Sequence, residues 1–468
     1  MIGALIKSGV SDWQIFQQKN GFADIHVSGE WLDQMAEEES SQVHICVKKE
    51  DSGEPVIWWK KCNMRGNSWD VTLHVPAGGL YQIETCFTIN SKEWSEWAVR
   101  GDIVSHIGVG DLYVIAGQSN SSGYGKDYIY DPCELGVHVL KNNEKWQLAV
   151  HPLQDSTGAE GCPVNMDGGS TGHSLYLSFA KYLKRELHYP IGLIQTSRGG
   201  SYMDQWSPDG GELYVNMMER IRLAGGRVKG IVWYQGCSDV REDLCRTYYD
   251  KFLEWKRCVC RDLQDPGLSV LVCQLNRCYR GKTPDSDEGW GMIREHQRCF
   301  GHLENVYTVP TSDCVISDGW GHISAKSNIA LGERLAKTAL THMYGKPFLC
   351  DAPDVNSAVQ VSDREVLLTF EHVYDKLETF GCDSAKMAFT VEDRDGTAEL
   401  ESYETPDRNK LLLRVRRTLG EACVVHCASE GDMQRVVPVD FATHLPIISF
   451  YRVKVKKETT DNADFEQI

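Results

Sequence analysis

Ser119, His322 and Asp318 are the side chains in this sequence whose types and order suit nucleophilic catalysis. A hydroxyl is a weak nucleophile until a neighbouring base takes its proton, and that base needs an acceptor to fix its tautomer. Ser119 supplies the hydroxyl, His322 the base and Asp318 the acceptor, in the chain order Ser…Asp…His. Gly319 and Gly321 lie between the Asp and the His, so the pair suits a bent loop rather than i, i+4 stacking on a helix. Taken alone, a Gly-x-Ser at residues 117–119 is a helix cap. Two further stretches reverse that reading. Gly199 and Gly200 let backbone N–H groups approach a ligand closely, and Gln235, beside Gly236, offers a side-chain N–H to a developing oxyanion.

The elements that must position these groups form a regular series. Apolar runs at 112–116, 191–196, 230–234, 270–275 and 306–309 read as buried strands. Helical patterns at 173–187, 212–224, 247–264 and 289–303 lie between them, and another at 324–343 follows the last run. Strand–helix alternation of this length predicts an α/β domain over 106–345, with a parallel sheet flanked by helices. Ligands of such sheets bind beyond the carboxyl ends of the strands, and every distinctive polar motif here follows a strand candidate.

The flanks read differently. Residues 1–105 alternate apolar and polar positions between turn residues, which predicts an N-terminal antiparallel β-sandwich. Its Trp58, Trp59, Trp94 and Trp97 are expected mainly in packing, with a sugar-stacking surface as the other use. The β pattern returns over 346–456 as a C-terminal antiparallel β-sandwich, followed by a polar tail at 457–468.

Composition narrows the function classes. The 468 residues carry a formal charge of −17, with 41% hydrophobic and 25% charged residues. An acidic chain without a Lys/Arg block is a poor match to nucleic acid. It has no run of 18 apolar residues, which argues against a membrane span. The 17 cysteines are odd in number, scattered and without a Cys-x-x-Cys, the pattern of reduced thiols in a cytoplasm rather than a disulfide framework or zinc site.

Four motifs together resemble the SGNH/GDSL-type carbohydrate esterases, and most closely the sialate O-acetylesterase (SASA) group. They are Gly117-Gln-Ser-Asn120; Gly199-Gly-Ser201 followed by Trp206; Trp233-Tyr-Gln-Gly236; and Asp318/His322 leading into Leu331-Gly-Glu-Arg-Leu335. The resemblance covers about residues 105–345. It implies Ser119 as nucleophile, His322 as general base and acid, and Asp318 as its orienter, with Asp313 in reserve. It also implies oxyanion donors from the Ser119 N–H, a Gly200 or Gly199 N–H and Gln235. Gln118, Asn120 and Trp206 complete the expected oxyanion and substrate surface, and Arg294 and Gln297 have a structural or pocket-lining role.

Two departures stand out. Cys237 occupies the position where the group usually has Glu, and the Asp–His spacing is one residue longer. The implied function is metal-free and cofactor-free removal of O-acetyl groups from sugars, most of all sialic acid, with a homo-oligomer allowed. The alternatives are an acetyl xylan or mannan oligosaccharide esterase and a non-catalytic carbohydrate-binding protein with a degenerate hydrolase domain.

Overall fold

The computed structural model describes residues 3–32, 41–89, 98–159, 164, 167, 171–279 and 284–457. Trp94, Trp97 and all but the first residue of the expected polar tail lie outside them.

The organising element is one long strand, Ala98–Gly117. Its first half pairs antiparallel with Gly78–Ile89, and its last residues pair parallel with Ile191–Gln195 on one side and Gly230–Tyr234 on the other. Residues 112–116 are fully buried, as an apolar run covered on both faces requires. The 105/106 division therefore falls inside a strand shared by two hydrophobic cores.

The expected parallel sheet is corrected to a mixed one of eleven strands. Parallel pairing joins six of them, in the spatial order Val137–Leu140, Ile191–Gln195, Ala98–Gly117, Gly230–Tyr234, Ser269–Cys273, Val306–Val309. The short strand Ile15–Gln17 also pairs parallel with Ala98–Gly117. Trp146–Leu148 is added antiparallel at one end, and Ser41–Lys49, Pro55–Lys61 and Gly78–Ile89 branch off antiparallel. The mixture arises because the long strand serves a β-only layer at its start and an α/β layer at its end.

Along the six parallel strands the chain goes from Ala98–Gly117 to the outer strand Val137–Leu140, returns to Ile191–Gln195 between the two, and then crosses to the other side. The reversal lies at this strand, and the crevice beyond its carboxyl end is where such sheets bind ligands. Helices cover both faces. Tyr113 packs edge-on against Phe179 of the helix Tyr176–Leu187. Trp233, in register with Ala116 and so on the opposite face, packs against Trp255 and Phe252 of Tyr248–Asp262.

The helix that follows the His322 loop, Ala325–Tyr344, starts at Ser324, whose hydroxyl accepts the Ser327 N–H, and ends at Gly345 in the left-handed region (φ 69°). Gly332 of this helix abuts Ser178 and Leu175, and an added Cβ would lie 2.1 Å from Ser178 Oγ. The absence of a side chain is what lets the two helices close on each other, which holds the helix at the end of the His322 loop in place.

On the amino-terminal side, four antiparallel strands (Gly3–Ser8, Phe22–Leu32, Ser68–Pro76, Asn63–Arg65) and the branch of the large sheet share one apolar core. Trp31 stacks on Phe87 there, whereas Trp58 is 65% exposed and is not the packing residue expected of it. Beyond residue 353, sheets of five and four strands share another core. Among the described residues no helix is long and apolar enough to cross a membrane.

Candidate active site

Ser119 opens a single helical turn, Ser119–Ser122, directly after the central strand. Gly117 (φ 127°) makes this possible, because a Cβ there would lie 2.2 Å from the Tyr234 carbonyl oxygen. His322 arrives 203 residues later, with Nε2 2.9 Å from Ser119 Oγ and Nδ1 2.5 Å from Asp318 Oδ2. The extra glycine before His322 is absorbed by the loop itself. Asp318 Oδ1 accepts the backbone N–H groups of Trp320, Gly321 and His322 at 2.9, 3.1 and 3.1 Å. Burial acts to raise the Asp318 carboxyl, but these N–H donors and the His322 ring outweigh it and hold the group below the usual carboxylate range. Asp313 is turned away and forms a two-pronged ion pair with Arg334.

Asn120 closes the loop from the other side. Its amide donates to Gly321 O (3.0 Å) and Asn276 Oδ1 (3.1 Å), and its Oδ1 accepts the Ile323 N–H (3.1 Å). Both amide hydrogens are thereby used, so Asn120 positions the histidine loop and is corrected as an oxyanion donor. Gln118 is similarly engaged, accepting from Gly236 N (2.9 Å) and Ser238 N (3.3 Å). It ties the end of one central strand to the end of the next.

Two further expectations are corrected. Gln235 is fully buried, and its amide donates to Ser201 O (3.0 Å) and Asp239 Oδ2 (2.5 Å) instead of reaching the cavity. Burial pushes the Asp239 carboxyl up to about 6 against the pull of Gln235 and the Met203 N–H. Trp206 is also fully buried, donating to Ser201 Oγ and packing against Trp233. It is a core residue and cannot stack on a sugar; Tyr202, 37% exposed, lies outside the cavity lining.

The Ser119 and Gly200 N–H groups have no acceptor among the described residues, and both residues line a cavity of about 440 Å³. The Gly199 N–H is taken by Asp167 Oδ2 at 2.9 Å. Tyr124 stacks on the His322 ring (centroids 4.6 Å apart) and donates to Asp167 Oδ1 at 2.6 Å. Burial, reinforced by that carboxylate, pushes the Tyr124 phenol up, so it stays a donor. Trp290 and the half-exposed Trp320 complete the apolar wall with Cys237 and Cys278. Sequence reasoning missed Tyr124, Asp167 and Trp290. Trp320 carried a signal, an aromatic residue between two glycines of the histidine loop.

Arg294 braces this wall from behind. It is 1% exposed and donates to the carbonyls of Leu275, Asn276, Ala428 and Glu430, with no carboxylate partner among the described residues. Burial pulls the guanidinium down to about 10. Gln297 bridges Leu275 N and Gln235 O. Gly431 packs against Trp290 and accepts the Cys278 N–H, so the C-terminal domain helps build the cavity. Where the related motif has Glu, the Cys237 thiol is pushed up by burial and stays neutral.

Asp131, His151 and His173 gather ligand atoms within 4.8 Å of one another, as do His342, Cys350 and Asp351, and His302, Asp354 and Glu371. In the first group Asp131 already accepts from both rings and from the Lys181 ammonium. Burial acts to raise this carboxyl, yet the three donors hold it far below its ordinary range, the mark of an internal anchor.

Residues 109–341 match the family model described as "Carbohydrate esterase, sialic acid-specific acetylesterase" (SASA). Residues 109–341 are a SASA carbohydrate esterase domain. The chain is therefore a carboxylic ester hydrolase. It is 26% identical over 269 residues to a probable carbohydrate esterase of Arabidopsis thaliana, a match covering 52% of this chain and 95% of that protein. It is 25% identical over 351 residues to the sialate O-acetylesterase of Homo sapiens, covering 63% of this chain and 64% of that protein's length. A carbohydrate acetylesterase structure from Xanthomonas citri shares the fold across 96% of this chain and 99% of its own, with a TM-score of 0.65 at 18% identity.

Proposed function

We propose that this protein is a serine esterase that removes O-acetyl groups from sugars. The carrying observation is the continuous hydrogen-bonded line from Asp318 through His322 to Ser119 Oγ at the floor of the cavity. His322 Nε2 takes the Ser119 proton as Oγ attacks the acetyl carbonyl, and Asp318 holds the ring and stabilises the imidazolium. The Ser119 and Gly200 N–H groups receive the oxyanion. Collapse expels the sugar alkoxide, which takes the proton from His322, and leaves an acetyl-serine. Water, deprotonated by the same ring, then releases acetate and restores the hydroxyl.

The apolar wall formed by Trp290, Cys237 and Cys278 suits an acetyl methyl group, and Trp320 at the mouth suits the face of a sugar ring. The names of relatives support sialates as one substrate; acetylated xylan or mannan oligosaccharides are the other reading, and the cavity's charge bears on that choice. The described cysteines are all free thiols, which supports a reducing, cytoplasmic compartment.

Acetate release from a panel of O-acetylated sugars, with Ser119→Ala as the control, tests the reading. Release by the native protein and none by the variant is expected. Equal release by both would overturn it, and a folded native protein inert on every sugar would favour a binding role.

A further inference from the structure

The charged group on the cavity wall is a carboxylate. Asp167 is held at two points, by Tyr124 Oη–H on Oδ1 (2.6 Å) and the Gly199 N–H on Oδ2 (2.9 Å). A carboxylate has about four acceptor positions, so these two bonds fix its orientation and leave capacity to accept more hydrogens. It lines the same cavity as Ser119 and His322. No lysine or arginine does so among the described residues. The Lys126 ammonium lies outside the lining, over the Tyr124 ring at 5.3 Å from its centroid. Apart from the His322 ring, the rest of the wall is tryptophan, tyrosine, thiol, Val240, glycine and uncharged polar side chains.

We propose that Asp167 sets substrate specificity, accepting a hydroxyl of a neutral O-acetylated sugar and disfavouring sugars that carry their own carboxylate. This rests on the esterase reading above, and it separates the chain from the sialic acid named in its family's description. A neutral sugar offers O–H donors, and a pre-oriented carboxylate is a strong, charge-assisted acceptor for them. An acidic sugar would bring a second carboxylate against the first, with no cation on the described wall to offset it. The same bonds let Asp167 hold the loop that carries the Gly200 N–H, so replacing it is expected to slow turnover on every substrate. The diagnostic quantity is therefore a ratio between substrates.

The test compares acetate release from an O-acetylated sialic acid with release from its methyl ester, which has the same sugar and acetyl group without the charge, and with an acetylated neutral xylo-oligosaccharide. The expected native kcat/KM is at least about tenfold higher for the methyl ester than for the free acid, with the neutral oligosaccharide also ahead of the acid. In Asp167→Asn that ester-to-acid ratio is expected to shrink to within about threefold, whatever the fall in absolute rate. Equal native rates on acid and ester, or an unchanged ratio in the variant, would overturn the proposal while leaving the esterase reading intact. The native ratio alone decides the matter if the variant does not fold. No acetate from any of the three would instead remove the esterase reading on which it stands.

Discussion

The amide of Asn120 donates to the carbonyl oxygen of Gly321, 201 residues further along the chain, at 3.0 Å. With the Ile323 N–H returned to Asn120 Oδ1, the two bonds bracket His322 on both sides. The ring is thus aimed at Ser119 by the residue next to Ser119. Removing one buried partner leaves polar groups unpaired at a cost of about 1–3 kcal/mol each.

Asn120→Ala is accordingly expected to lower kcat by roughly 10–100-fold, with KM changed little, because it loosens the base without touching the sugar. Steady-state kinetics on one acetylated substrate checks this. A rise in KM at constant kcat would contradict the positioning role.

Asp318 and Asp313 are distinguished by their partners. Asp318→Asn leaves the loop geometry largely in place but loses the carboxylate that fixes the tautomer of His322, so kcat should fall by about 10³–10⁴. Asp313→Asn loses a partly exposed ion pair with Arg334 and should stay within a few-fold of native. The reverse ranking would mean that the acid comes from elsewhere.

Much of this arrangement was legible in the sequence, for identifiable reasons. Residues 230–234 form a strand with the expected bounds because a continuous apolar run buried on both faces has few alternatives, and 306–309 also keeps its expected bounds, with only Val306 and Val309 buried. Asp318 and His322 were legible because glycines isolate them in a loop. The long central strand was not. Gly101, Gly108 and Gly110 resemble boundary punctuation, yet they mark close approach within the strand: added Cβ atoms would meet Ala4 O at 2.2 Å, Ile15 at 2.5 Å and Pro190 O at 1.8 Å. Gln235 was misread for a different reason. A strand-end amide near Ser119 is chemically suited to an oxyanion, and only three-dimensional packing reveals that Ser201 O and Asp239 have taken its hydrogens. Trp206 illustrates the same limit, since residue type alone does not distinguish a stacking platform from a core plug.

Asp239 gives a pH dependence of known sign. Its carboxyl rises from an ordinary 3.8 to about 6 on folding, so between those values the folded chain binds more protons than the unfolded one. Stability is therefore highest below pH 3.8 as far as this group is concerned, falls as pH rises toward 6, and is level beyond it. The full penalty is on the order of 3 kcal/mol. Urea unfolding of native protein and Asp239→Asn across pH 4–7 should show native stability dropping relative to the variant as pH rises. A native-minus-variant difference that does not change with pH, or native stability that rises relative to the variant as pH rises, would contradict this placement of the proton.

The proposed mechanism requires Ser119 to carry the acetyl group during turnover, and acid-quenched reactions analysed by peptide mass spectrometry detect that intermediate itself. Acetyl is expected on the peptide containing Ser119, formed in the native protein within the first turnover and absent from Ser119→Ala. Acetyl found only on another residue, or steady acetate release from a Ser119→Ala protein, would contradict it.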